Sequence, residues 1–238
     1  LISAIKESMD HFSRDPVAFM VPTFLYPVLM LITLGAFSGI LLIFFFLFSL
    51  VGFTGEASTY VLAAIAAVLG IIYVIIAAGY KGSMVNEYNN ATEKEPVGLE
   101  HFLKYAFKNA PNFFIIGFVK MVITGFVVMP LFLLYYFVLW EYHDAYTYLL
   151  VLLALLLVFI IEFVFSFSYI AYVARKVSPI TAMIISFNTV KEKNVNALGV
   201  YLVYSLVALS TNIPLLNILT YLVFYPIAYT SLIVLFKK

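Results

Sequence analysis

Three observations predict an all-α, polytopic membrane protein with six transmembrane helices. First, 65% of the residues are hydrophobic and only 11% are charged, which leaves too little polar surface to coat a water-soluble globule. Second, the apolar residues gather into runs long enough to cross a hydrocarbon core of about 30 Å, which takes about 20 residues per helix. Third, of the 13 Lys and Arg residues, all but Lys120 lie in segments that such an arrangement places on one side. By the positive-inside rule that side is the cytoplasm, so an even number of crossings must separate any two basic segments.

The elements follow in order. Residues 2–14 carry Ile2, Ile5, Met9 and Phe12 at helical spacing against Lys6, Glu7, Asp10, His11 and Arg14, the pattern of a helix lying in the interface plane. Residues 17–53 form the first apolar run. As one straight helix it would measure roughly 55 Å. Pro22, Pro27, Gly35 and Gly39 predict a kinked or strongly tilted span, or one projecting past the outer headgroups, with a re-entrant turn as the alternative. Residues 60–80 return to the basic side. Asn86 to Pro96, the most polar stretch, reads as a solvated cytoplasmic linker.

The second interfacial helix carries Leu99, Phe102, Leu103, Ala106 and Phe107, and its spans are residues 113–140 and 146–173. The third carries Ile180, Met183, Ile184 and Phe187, and residues 195–236 cross twice, turning at Asn212, Pro214 and Asn217. Each interfacial stretch meets a breaker before its outgoing span: Arg14-Asp15-Pro16, Lys108-Asn109-Ala110-Pro111 and Lys193-Asn194. The return spans share the endings Ala78-Gly79-Tyr80, Ile170-Ala171-Tyr172 and Ile227-Ala228-Tyr229. The expected organisation is one membrane domain, 1–238, of three repeats at about 1–80, 97–175 and 178–238, each a cytoplasmic interfacial helix plus a transmembrane hairpin. Both termini are expected in the cytoplasm and the protein in the cell membrane. Trp140, Tyr142, Tyr146 and Tyr148 outside, with Tyr80, Tyr88, Tyr105 and Tyr172 inside, read as aromatic belts. Leu1 in place of an initiator Met points to trimming, and no signal-peptide pattern is visible.

The closing hairpin, with Ile213-Pro214-Leu215-Leu216 at its turn and Pro226-Ile227-Ala228-Tyr229 through Leu235-Phe236-Lys237-Lys238 at its end, resembles that of a broad prokaryotic group of six-span proteins. The group includes the membrane domain attached to some glycerophosphodiester phosphodiesterases and many uncharacterised bacterial and archaeal relatives. The phosphodiesterase catalytic domain is not in this sequence. The resemblance therefore implies architecture and not activity.

Chemistry is sparse. His11, His101 and His143 sit in interfacial or loop positions, no HExxH pair occurs, and there is no Cys, so no metal or cofactor site is expected. Ala36-Phe37-Ser38-Gly39 lacks a buried base for Ser38 and reads as small-residue helix packing. No phosphate-cradling glycine loop is present, and no catalytic residue is assigned. Two charges do lie within spans. Lys120 is about 10–13 Å in from the cytoplasmic end of the third span and Glu162 about 20 Å in from that of the fourth. Such residues mark sites or structural locks. Thr124 lies one turn from Lys120, and Ser166 and Tyr169 follow Glu162 at i+4 and i+7, making a polar stripe. These five residues are the candidate binding set, the sharper reading being a Lys120 to Glu162 ion pair lining a cavity; the bland reading is a snorkelling Lys120 and a Glu162 that is protonated or hydrogen-bonded to a neighbouring helix.

The leading functional expectation is a non-enzymatic membrane protein handling a lipid or small amphipathic solute. The alternatives are a scaffold or partner-binding subunit, with a protein docked on the interfacial helices, and a proton-linked transporter or channel. Membrane lipid is the expected partner and nucleic acid is not. A transporter should show interrupted spans in corresponding repeats.

Overall fold

The computed structural model describes residues 2–53, 55–139, 145–211 and 217–238. Among these there is no strand. The elements are α1 (Ile2–Arg14), α2 (Pro16–Leu50), α3 (Glu56–Glu93), α4 (Leu99–Leu134, running into a π-helical turn at Tyr135–Leu139), α5 (Ala145–Val164), α6 (Ser168–Arg175), α7 (Pro179–Ser210), α8 (Asn217–Leu219, then a π-helical turn at Thr220–Phe224) and α9 (Tyr225–Lys237). Five stretches are long and apolar enough to cross a membrane: Pro16–Leu50, Glu56–Glu93, Leu99–Phe137, Thr147–Arg175 and Asn217–Lys237. The chain is thus all-α and built as a multi-pass membrane protein. The sixth expected span corresponds to the part of α7 beyond Asn194, which is not among the five. The turn at Asn212, Pro214 and Asn217 lies outside the described residues up to Asn217, as do Trp140, Tyr142 and His143.

The chain divides into two compact units, Asp15–Phe114 and Leu1–Arg14 with Ile115–Lys238. In the first, Asp15 caps α2 by accepting the Ala18 N–H at 3.1 Å, with Pro16 at the first helical position. The helix then runs unbroken for 35 residues past Pro22 and Pro27, about 52 Å at about 1.5 Å per residue. The re-entrant alternative is therefore not adopted. α3 packs along α2: Tyr88 stacks on Phe19 with centroids 6.2 Å apart and shares a 2.6 Å hydrogen bond with Thr23, and Tyr80 reaches Thr33 at 3.1 Å. Tyr80 and Tyr88 are buried in this core and do not form an inner belt.

The approach of α4 to α3 is set by two glycines. A Cβ on Gly79 would lie 2.6 Å from the Ala106 carbonyl oxygen, and one on Gly82 would lie 2.2 Å from the Phe113 ring. Ser83 donates to the Phe102 carbonyl at 2.6 Å in the same contact. The expected breaker at residues 108–111 is absent, because α4 passes through Pro111 without leaving the helix. Asn109 donates its side-chain amide to Tyr105 there. The linker expected at residues 86–96 is shorter and later, since α3 extends to Glu93 and closes on a left-handed Lys94, leaving residues 94–98 as the connection to α4. Residues 81–93 keep the helix that began in the span, and Met84, Val85 and Tyr88 bury one face of it.

In the second unit α1 docks on α9 through its small face, with Ala4 and Ser8 buried and Ile2 and Met9 left outward. Lys193 donates to the Leu235 and Phe236 carbonyls at the end of α9, Arg175 lies 5.3 Å over the Phe236 ring, and Lys238 pairs with Glu7 at 2.7 Å. Cations thus meet the negative end of the α9 dipole. α7 departs from helical geometry at Asn194 (φ 31°, ψ −103°), where two helices meet across a kink. Tyr204 touches the rings of Tyr201, Tyr225 and Tyr229 at 6.1, 5.7 and 5.4 Å, locking α7 to α9.

Candidate functional site

The structure brings two of the five candidate residues into direct contact. Lys120 on α4 donates from Nζ to Glu162 Oε2 on α5 at 2.8 Å. The Lys120 side chain is 18% exposed and that of Glu162 45%, so the acid has an open side. Thr124 spends its hydroxyl on its own helix, donating to the Lys120 carbonyl at 2.9 Å. That back-bond fixes the backbone beneath Lys120 but offers little to a ligand.

Ser166 and Tyr169 do not continue a stripe from Glu162. α5 stops at Val164 and α6 begins at Ser168, so the i+4 and i+7 spacing is spent on an interruption. Residue Ser186 of α7 holds the break: its hydroxyl donates to the Val164 carbonyl at 2.8 Å and accepts the Phe167 N–H at 3.1 Å. One side chain satisfies the two backbone groups that the break frees, while the Phe165, Ser166 and Ser168 N–H groups keep carbonyl partners within the helix. The hydroxyls of Ser166 and Ser168 are buried there and have no hydrogen-bond partner in the protein. Tyr169 is 9% exposed on α6, with its hydroxyl facing Gly117 of α4, 3.5 Å from where a Cβ would lie. The arrangement is an ion pair near the end of α5, followed within one turn by unsatisfied polar groups. It can accept a donor or cation at the open side of Glu162, whereas the serine hydroxyls are closed off inside the bundle.

A second acid, which the sequence reading assigned to a solvated loop, is buried in the other compact unit. Glu87 on α3 is 1% exposed, and Asn86, Asn89 and Asn90 are buried beside it. His101 on α4 lies with Nδ1 2.5 Å from Glu87 Oε1, and the Gly98 N–H donates to Oε2 at 3.3 Å. The sequence carried a signal for this: Tyr80, Met84 and Tyr88 continue the apolar spacing at i, i+4, i+8, with no Pro before Pro96. His101 is correspondingly a partner of Glu87 and not merely an interfacial polar residue. Among the described residues, no three His, Asp or Glu side chains are placed to hold a metal ion.

These observations define an all-α integral membrane protein in which Lys120 pairs with Glu162 in one compact unit and His101 with Glu87 in the other. No family model matches the chain, and no curated protein or solved structure matches it either.

Proposed function

We propose that this is a six-span, non-enzymatic membrane protein that handles a lipid or small amphipathic solute at Lys120 and Glu162. Kinship with the six-span prokaryotic group, suggested by the residues of the closing hairpin, and a place in the cell membrane with cytoplasmic termini, supported by the one-sided distribution of basic residues, belong to the same proposal. The observation that carries the functional reading is Glu162 itself, ion-paired on one side yet nearly half open on the other. A residue serving only as a lock gains nothing from that open side, because an exposed carboxylate in a span is costly unless something meets it. The interruption at residues 165–167 favours a second reading, a proton-linked transporter, since broken spans with polar groups at the break are where transporters bind solutes and ions.

The test begins with lipids and small molecules co-purifying with wild type and Glu162→Gln, identified by mass spectrometry. A species that is lost in the variant while its thermal unfolding stays unchanged supports the solute site. Equal retention in both proteins refutes it. Reconstitution with an entrapped pH-sensitive dye addresses the second reading: proton flux abolished by Glu162→Gln supports transport, and absence of flux in the wild type refutes it.

A further inference from the structure

We propose that the cleft beside Glu87 is a headgroup site for a zwitterionic aminophospholipid, with His101 and Lys104 receiving the phosphodiester and Glu95 and Glu100 receiving the ammonium. The site lies within the Asp15–Phe114 unit and does not depend on the reading given for Lys120 and Glu162. The cleft measures about 470 Å³ and is lined by Asn90, Glu95, Glu100, His101 and Lys104 together with the chain between α3 and α4, room enough for a headgroup.

The buried acid organises it. Glu87 engages Nδ1 of His101 at 2.5 Å, so the ring is held in one orientation and Nε2 is the nitrogen left for the cleft, where the side chain is 48% exposed. A carboxylate that fixes one imidazole nitrogen and frees the other is the arrangement by which histidine is aimed at a ligand. When Nε2 carries a proton it donates to a phosphodiester oxygen, and Glu87 supplies the counter-charge behind the ring. Lys104 stands one turn further along α4, on the same face.

The opposite sign is present at the same rim. Asn90, with its amide nitrogen turned toward acceptors, donates to Glu95 Oε2 at 3.3 Å, and Glu100 precedes His101 in α4. A free phosphate dianion would meet two carboxylates, and a simple amine would meet Lys104 and His101. One molecule carrying both a phosphodiester and an ammonium satisfies every charged group. The acyl part follows from the same helix: Leu99 and Phe107 are 50% and 55% exposed, as on a helix lying where headgroups meet chains.

The experiment uses the full chain in detergent, titrated with short-chain phosphatidylethanolamine and followed by calorimetry and thermal shift. Short-chain phosphatidylglycerol, O-phosphoethanolamine and inorganic phosphate are titrated in parallel. Saturable binding of phosphatidylethanolamine, weakened about tenfold by Lys104→Gln and by Glu95→Gln, is expected if each supplies one charge-assisted contact. Both positions are exposed, so these variants keep the fold even if His101→Gln does not. No binding, binding indifferent to both substitutions, or equal binding of phosphatidylglycerol overturns the proposal. O-phosphoethanolamine binding as tightly as the lipid overturns the lipid source, and inorganic phosphate binding as tightly overturns the amine.

Discussion

Glu87 and Glu162 are both carboxylates held by a basic side chain of another helix, yet their surroundings are opposite. Glu87 is closed in by Asn86, Asn89, Asn90 and its histidine, whereas Glu162 keeps an open side in an otherwise apolar span. The buried acid has been desolvated already, so its partner matters greatly. The open acid has not, so its partner matters less and a ligand can matter more. The difference separates a carboxylate that organises a fold from one that is available for use.

The sharpest way to break the comparison is to remove each partner. His101→Ala should cost about 2–4 kcal/mol, because it leaves the buried Glu87 without its basic partner, held by the Gly98 N–H and Asn86. Thermal unfolding in detergent measures this, and a loss below that of Lys120→Met would reverse the ranking.

Ser186→Ala comes next, at about 1–3 kcal/mol, because one substitution strands the Val164 carbonyl and the Phe167 N–H together. A neutral result would show that the break is satisfied without Ser186. For the open pair, a cycle of Glu162→Gln, Lys120→Met and the double variant should give a coupling of about 1 kcal/mol or less. A coupling of several kcal/mol would place Glu162 with the structural acids and remove the basis for a solute site. The smallest effect belongs to single cysteines in this Cys-free chain. Substitutions at Lys94 and Ser58 should leave stability unchanged and be labelled from opposite faces, and labelling of both from one face would end the six-span arrangement.

The contact between Lys120 and Glu162 was legible as one of two readings, because a charge inside an apolar run has few places to go. Two antiparallel spans joined by a short turn leave each as the other's nearest counter-ion. Glu87 was not legible by the same logic. In residues 86–96 polarity is the rule, and a polar run reads as solvated unless something else covers it. What covers Glu87 is His101 and the Gly98 N–H at the start of α4, where the close approach at Gly79 and Gly82 brings the two helices together. Nor does Phe165-Ser166-Phe167 contain a Pro or Gly to announce an interruption. The break is held by a serine from α7, almost twenty positions away, that the sequence offers no reason to single out.

From its amino acids alone the chain determined the all-α class and its membrane-crossing helices, and reduced Lys120 and Glu162 to two readings, a pair or two separate side chains. Each follows from a local quantity: apolar run length, helical period, or a charge too costly to leave alone in hydrocarbon. Tertiary structure decided that α3 carries its helix through a polar stretch, that α4 ignores its breaker at Pro111, and that α5 ends where Ser186 can satisfy the backbone groups the break frees. Those outcomes turn on which side chain lies opposite which. Burial and hydrogen-bond satisfaction are properties of pairs of segments, and no single segment encodes its partner.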